Sequence, residues 1–450
     1  MKTTLSILCV VGTILLSFGQ DKNFDLSRYK FPDYKRHELE FNFNSDGNSQ
    51  RYYSIIPATS NYSGVNLDRS NSSFNSTVNI SYQFENFSRK RIDRVTSGLS
   101  GKYLYEKSKY PEESSKLSEP QAWGFLQTSR RNYITEDKIF WEGLAYLKFN
   151  SSWRKITYES TPNLDEYTSS SQSISAGVGI GKGRIESVND LWQGYYILEK
   201  LKKQNSLDRD LNEQDIFEFA SFISKLKNKR FFDYRLRKIA ELKALDSILH
   251  KQNLIKNSNI AYFSTLNDYW SFPIYFDRKS GKEIKLAITP EYSRNYFKSN
   301  SIAANTPAVT NLISTLEFDY SKQGNLFWER NFKIGFNNTT LLAKNGDVEE
   351  NLPNNLIGTN VSYGFGFFPD SRTRIQLTSR YSGNQSTNYT GEDMKIGWMN
   401  NFVILFQLAY FISPQIQIAG DFNGRYWQSN LNSWHGHNIN YSLALRYAIF

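Results

Sequence analysis

The 450-residue chain carries a single cysteine, four histidines and three methionines. Cys9 lies inside an apolar N-terminal stretch, too early in the chain and behind Leu8 rather than a small residue, so lipoprotein processing is not expected. Once that stretch is removed the mature chain has no thiol. Disulfides, thiolate metal sites and cysteine catalysis are then excluded. His435 and His437 stand two apart, but no acidic or cysteine ligand accompanies them, and a metal site is not expected there. Nor does any later segment approach the ~18 uncharged apolar residues of a spanning helix. If this chain enters a membrane, it does so as a closed barrel.

Motifs for chemistry are also missing. The many serines sit in no nucleophile pattern, so catalysis is not expected. The alternating glycines of Gly177–Gly183 lack the Lys-Ser/Thr of a phosphate loop and fall in a strand pattern, where packing explains them. The sequence therefore predicts neither an enzyme nor a cofactor. The Asn-x-Ser/Thr sites at Asn61, Asn71, Asn75 and Asn79 read as loop composition.

What is present begins at the N-terminus. Lys2 is followed by the apolar run Leu5–Phe18, then by Ser17 and Gly19 at the small-residue positions of a cleavage site. Residues 1–19 are thus expected to be a secretory signal peptide cut after Gly19. About 430 residues follow, long for one ordinary soluble domain. The whole chain is polar on average, with a mean hydropathy of −0.56. It is also aromatic: 29 Tyr, 32 Phe and 9 Trp. Barrel walls combine these properties, because half of each strand faces an aqueous or packed lumen while aromatics gather at the two interfaces.

Period-two alternation is clearest late in the chain. In QIQIAGDFNGRYW, Ile416, Ile418, Phe422 and Tyr426 share one face and Gln417, Asp421 and Arg425 the other. The same pattern recurs at Ile284/Leu286/Ile288, Leu316/Phe318, Ile334/Phe336, Val361/Tyr363, Ile375/Leu377, Ile439/Tyr441/Leu443 and, earlier, at Leu39/Phe41/Phe43 and Val78/Ile80/Tyr82. Short links at Asn86–Arg89, Thr135–Lys138, Lys322–Asn325, Pro369–Arg372 and Ser413–Pro414 alternate with long polar ones at 45–72, 107–121, 151–170, 298–307, 344–357, 385–396 and 429–436. These features predict an all-β transmembrane antiparallel barrel of about fourteen strands, or about sixteen if 257–278 holds a further hairpin. A secreted soluble β-sandwich or solenoid would explain the Asn, Ser and Tyr content but not the strand lengths.

Between residues 184 and 254 the period changes. Leu191, Tyr195, Leu198 and Leu201 fall at helical spacing, with Ser187 and Asp190 placed as a capping box. Asn212 and Asp215 mark a second helix start ahead of Ile216, Phe219, Ala220, Ile223 and Leu226. A third stripe runs through Leu236, Ile239, Leu242, Leu245 and Ile248/Leu249. The expected layout is a barrel first part at 20–183, a helical insert at 184–254 and a barrel second part at 255–450. Alternation of the links puts the insert on the periplasmic side. Its basic residues Lys225, Lys227, Lys229, Arg230, Arg235 and Arg237 are candidates for docking an acidic periplasmic protein, a cell-wall polymer or the lipid leaflet. Acidic residues such as Asp208, Asp215 and Glu241 offset much of that charge, and a solvated helical face is the simpler account. Nucleic acid is not an expected partner of an exported chain.

Charged residues on the polar strand faces are expected to point into the lumen: Glu317, Asp319, Lys333, Arg374, Arg380, Asp421, Arg425 and Arg446. Two function classes remain open. One is porin-like passage of small polar solutes through an opposed acidic and basic lumen. The other is a structural or assembly role exercised through the insert. A TonB-dependent transporter is not expected, since no plug-sized segment precedes the first strand.

The stretch GKGRIESVNDLWQGYYILEKLKK, followed by FISKLKNKRFFDYRLRKIAELKALDSIL and YFSTLNDYW, resembles a group of outer-membrane barrels of Bacteroidota-type bacteria, as does a start at Gln20. The resemblance covers about a quarter of the chain and implies location and fold, with no activity or catalytic residue. The terminal Phe450 resembles the C-terminal signal read by the barrel-assembly machinery, although it falls in phase with Arg446 rather than Ile449.

Overall fold

The computed structural model describes residues 28–56, 65–109, 114–135, 138–159, 164–228, 234–271, 278–300, 306–324, 327–345, 354–370, 372–390, 393–413, 416–430 and 435–447. The expected signal peptide and the terminal Phe450 lie outside them. Fourteen strands are described: β1 (Tyr34–Ile56), β2 (Val65–Phe87), β3 (Arg91–Lys109), β4 (Ser114–Thr135), β5 (Ile139–Tyr158), β6 (Leu164–Ser187) and β7 (Lys279–Ser299). The series continues with β8 (Ala308–Gln323), β9 (Trp328–Asn345), β10 (Asn355–Phe367), β11 (Thr373–Thr390), β12 (Asp393–Ser413), β13 (Ile416–Ser429) and β14 (His435–Tyr447). They form one antiparallel sheet in which every strand pairs with its neighbour in sequence. Among the described residues, β1 and β14 are its two edges.

The sheet is strongly curled. In a flat sheet β2 and β6 would lie ~19 Å apart. Yet the Arg184 guanidinium of β6 sits 4.4 Å from the centroid of the Phe87 ring of β2. The face carrying Phe87 and Arg131 is therefore the concave, inner one; Arg184 lies in step with outward Ile180, but it follows the positive-φ Gly183 and its side chain turns onto the inner face. Residues opposite each other in a ladder share a face, so the register carries this assignment around the whole wall.

The outer face is apolar and uncovered. Val178, Ile180, Leu286 and Ile288 are 68%, 63%, 47% and 47% exposed, respectively. Outward residues of the edge strand β14 are more exposed still, Tyr441 at 85% and Leu443 at 78%, because that strand lacks one flanking neighbour among the described residues. A continuous apolar belt of this kind is far from the scattered apolar surface of a soluble protein.

Several strands run past 20 residues, β6 to 24, where about 9–11 suffice to cross a bilayer. Much of what the sequence predicts as long polar links is therefore strand. The segment 45–72 is mostly the paired arms of β1 and β2, and 107–121 and 151–170 are shortened in the same way. Polar side chains do not interrupt a ladder made by the backbone. Arg51 and Asp68, paired at 2.6 Å, illustrate how such arms are held together.

Four helices are described, all between β6 and β7: α1 (Asn189–Lys203), α2 (Glu213–Asn228), α3 (Tyr234–Lys251) and α4 (Ile260–Ser271). The helical part is thus offset from the expected 184–254. β6 continues to Ser187, and in place of the hairpin considered at 257–278 residues 260–271 form α4, so the described residues hold fourteen strands rather than sixteen. The apolar run in IAYFSTLNDYW is too short to separate strand from helix by period alone. Burial of Tyr262, Leu266 and Trp270 against the other helices decides it. No helix among the described residues is long and apolar enough to cross a membrane, which says nothing about strands.

The two expected helix starts fare differently. Asn212 and Asp215 form a reciprocal box: the Asp215 N–H donates to the Asn212 side-chain oxygen at 2.8 Å, and the Asn212 N–H to the Asp215 carboxylate at 3.0 Å. Ser187 and Asp190 do not. The N-cap of α1 is Val188, without a side-chain cap. Asp190 instead turns inward, accepting from Ser224 and pairing with Lys227 at 2.7 Å. In the third stripe Leu245 and Leu249 are fully buried, whereas Ile239 is 71% exposed.

Candidate functional site: the capped rim and the inner wall

The short links after β2, β4, β8, β10 and β12 lie at the same end of the sheet as the roots of the helical module and the start of β1. We call this end the rim. The module's core joins Leu191, Trp192, Ile197, Leu198 and Leu201 of α1 to Phe219 and Ile223 of α2, Leu245 and Leu249 of α3 and Tyr262 and Leu266 of α4. The same cluster takes in Tyr29 ahead of β1 and Phe327 of the β8–β9 link. Tyr196 donates its hydroxyl to the Phe368 carbonyl of the β10–β11 link at 2.9 Å. Contacts at strands 1, 6–7, 8–9 and 10–11 of fourteen place the module across the rim rather than beside it.

Two buried arginines fix its roots. On the β6 side, Arg184 stacks over Phe87 and Tyr133, donates to the carbonyls of Ser88 and Arg89, and pairs with Glu186 at 2.7 Å. Glu186 also binds Arg89 and accepts from the Phe31 N–H at 2.9 Å. On the β7 side, Arg278 lies 3.6 Å from the Trp192 ring centroid and 4.3 Å from that of Phe368. It pairs with Glu329 of β9 at 3.5 Å and donates to Gln323 of β8. Both members of the Arg278–Glu329 pair are almost wholly buried. Burial pulls the Arg278 guanidinium down to about 10, so it stays charged at neutral pH. Burial pushes the Tyr29 and Tyr196 hydroxyls above their ordinary value.

Close backbone approach at the roots requires glycine. Gly183 and Gly281 have φ of +105° and +129°, and a Cβ on either would lie about 2 Å from a carbonyl oxygen of the opposite strand, that of Lys282 and Arg184 respectively.

Above the rim the inner wall carries a charge network. Arg131 of β4 reaches Glu283 of β7 at 2.6 Å and Glu142 of β5 at 3.3 Å. Lys285 bridges Glu142 at 3.6 Å and Glu317 at 3.3 Å. Lys333 and Asp319 pair at 3.4 Å. The register puts all eight predicted lumen residues on this one face: Glu283 faces Asp319, which faces Lys333, then Ser362, Arg380, Val403 and Arg425 across successive strands. Glu317 is on the same row as Lys285. Arg374, Asp421 and Arg446 lie together around a cavity of about 520 Å³ at the rim end of β11–β14. Arg425 donates to Asn401 at 2.7 Å.

The predicted docking residues separate. Lys227 is structural, bound to Asp190 and lying 5.9 Å from the Trp270 ring centroid. A basic residue here is needed because Asp190 is buried. Lys225 is exposed. Lys229 and Arg230 lie outside the described residues, and so do the side chains of Arg235 and Arg237. Missing from the sequence reading are Arg184, Arg278, Arg131 and the lead-in residues Tyr29 and Phe31. The signal available was position: Arg184 and Arg278 are arginines at the two junctions where the period changes. Among the described residues no group of three or more His, Cys, Asp or Glu side chains is placed to hold a metal ion.

No protein-family description and no curated protein matches the sequence. Among solved structures the chain is similar to the ferric yersiniabactin uptake receptor FyuA from Yersinia pestis, at 6% identity and TM-score 0.39, with 90% of this chain and 63% of that one covered. It thus spans less than two thirds of that receptor's length. It is similar also to the translocator domain of autotransporter NalP from Neisseria meningitidis (7%, TM-score 0.28, 91% and 98% covered). A third is the outer membrane protein OprD from Pseudomonas aeruginosa (8%, TM-score 0.26, 94% and 96% covered).

Proposed function

We propose that this chain is an outer-membrane β-barrel protein, exported by a cleaved signal peptide at 1–19, whose barrel anchors a helical module that docks a periplasmic protein or cell-wall polymer. The observation that carries this reading is the double arginine attachment. A module tethered by flexible linkers would be an ornament on the barrel, whereas one whose two roots are clamped through Arg184 and Arg278 is held in a fixed orientation. The uncovered apolar belt supports the membrane, because lipid removes the penalty that water would impose on it. The module's own core is complete, yet Ile239, Ile260 and Phe263 stay exposed at 71%, 90% and 45%. Those residues and Lys225 are the surface offered to a partner.

A photo-crosslinker at Phe263 in intact cells tests the idea. One discrete adduct is expected. The reading fails if a variant lacking 189–271 inserts normally and replaces the parent in every growth condition that needs the parent.

A porin-like channel is the second reading, favoured by the polar inner face and its open cavity. Single-channel recording on folded protein separates the two. A capped barrel shows no steady conductance until Arg184 and Arg278 are both replaced; an uncapped one conducts from the start.

A further inference from the structure

We infer that the cavity on the inner face of β11–β14 is a binding site for a small hydroxylated organic anion, a sugar acid or a compound of that class. It needs only the folded wall and stands whether or not the lumen conducts.

The register builds the site. One row across the wall reads Arg374, Ala409, Ala419, Ala444 on β11 to β14. The row beside it reads Gln376, Gln407, Asp421, Ser442. On the other side Gln417 faces Arg446. The alanines of this row leave a trough between rows that carry Gln407 and Asp421 on one side and Gln417 and Arg446 on the other, and Ala409 and Ala419 lie in the lining of the 520 Å³ cavity. That volume falls within the ordinary range for small-ligand sites, about 300–1,000 Å³. Ala409 and Ala419 are buried at its base.

The lining chemistry is selective. Arg374 and Arg446 bracket the trough from strands three apart, ~14 Å at the backbone, so their side chains close on an object of monosaccharide size. Guanidinium groups bind carboxylates in a two-pronged fashion that neutral solutes cannot use. Arg374 donates to Gln407 at 3.4 Å and Gln407 donates to Asp421 at 3.0 Å, so the polar row is held in place before a ligand arrives. Gln417 and the Asp421 carboxylate are then available to hydroxyl groups. Asp421 also disfavours ligands with more than one negative charge. The small apolar floor suits the C–H face of a sugar ring. Glu317 and Asp319 belong to the acidic side of the wall, so the site is the basic counterpart to them.

The test uses the full mature protein folded in detergent micelles and calorimetric titration with glucuronate, with glucose and glucosamine as neutral and cationic probes of similar size. Glucuronate binding is expected, with glucose and glucosamine weaker by about tenfold or more, the share of a charge-assisted hydrogen bond. Arg374→Gln and Arg446→Gln should each reduce glucuronate affinity by about tenfold. Ala419→Leu should abolish binding by filling the trough. Arg380→Gln, on the same face but outside the cavity, should leave affinity unchanged. Heat-modifiable migration on gels verifies that each variant is folded. The proposal is overturned if folded parent protein does not bind glucuronate, if it binds glucose equally well, or if Arg380→Gln weakens binding as much as Arg374→Gln does. None of these outcomes bears on whether the helical module docks a partner, which crosslinking reads separately.

Discussion

The Arg278 guanidinium lies 3.6 Å from the centroid of the Trp192 ring, across the junction between the last helical link and the first turn of α1. Trp192 is 1% exposed and Glu329, the ionic partner of Arg278, 3%. Replacing Arg278 by methionine keeps most of the stacking volume but strands a buried carboxylate. Removing one member of such a pair costs about 3–5 kcal/mol. Limited trypsin digestion should therefore cut the module in Arg278→Met while the strands stay protected. The double variant Arg278→Met/Glu329→Gln should recover much of the resistance. Equal digestion of single and double variants would show that the pair does not hold the module.

Asp215 couples the module's stability to pH. The Arg209 guanidinium beside it, together with the Asn212 N–H, holds its carboxyl below the usual carboxylate range. A carboxyl whose folded-state value is depressed contributes stability that is fully present above its unfolded value, ~3.9. The contribution is lost as pH falls through the lower folded value. Helical signal followed by circular dichroism during heating should show a melting temperature that drops on acidification below about pH 4. Asp215→Asn should lower the melting temperature at pH 7 and flatten that acid limb. Asn212→Ala, which removes the reciprocal cap, should cost about 1 kcal/mol at any pH.

Leu286 separates lipid from water on the outer face. It is 47% exposed on a strand flanked by Ile180 and Leu316. On a soluble protein Leu286→Arg would change stability by less than about 0.5 kcal/mol. Facing the bilayer midplane it should cost about 2–4 kcal/mol. Folding into phospholipid vesicles across a urea series measures the difference, and a near-zero value would remove the membrane from the account.

Arg131 joins β4, β5 and β7 through Glu142 and Glu283 and stacks 3.9 Å from the Phe140 ring centroid. Arg131→Met should remove the ion pair that holds Glu283, leave Glu142 to Lys285, and destabilise the wall by about 3–5 kcal/mol. Lys333→Met removes an exposed pair and should cost less than about 1 kcal/mol. Unfolding midpoints in micelles compare the two, and similar losses would contradict the network.

Gly183 and Gly281 make a last prediction. Alanine at either position meets both a disfavoured backbone angle and a carbonyl oxygen of the facing strand. Gly183→Ala and Gly281→Ala should each reduce the yield of heat-modifiable barrel, whereas Gly101→Ala, where a Cβ meets nothing within 4 Å, should not.

The sequence alone determined the periodic parts. Leu286, Leu316 and Ile334 declare their face because a strand alternates every two residues, and each ladder then transmits that choice to its neighbour. The Asn212/Asp215 start was legible because a capping box is local, formed within four residues. Only the tertiary structure decided the rest. Residues 260–271 are helical because Tyr262, Leu266 and Trp270 find a core there, which no local pattern reveals. The polar arms of β1 and β2 are strand because each backbone finds the other, whatever its side chains. Arg184, Arg278 and Arg131 gained their roles from curling, which brings strands three and four apart within reach of one guanidinium. Period and caps are properties of neighbours along the chain. The clamp across the rim is a property of residues 95 to 172 positions apart, Arg184 with Arg89 and Tyr196 with Phe368, and curvature alone could bring them together.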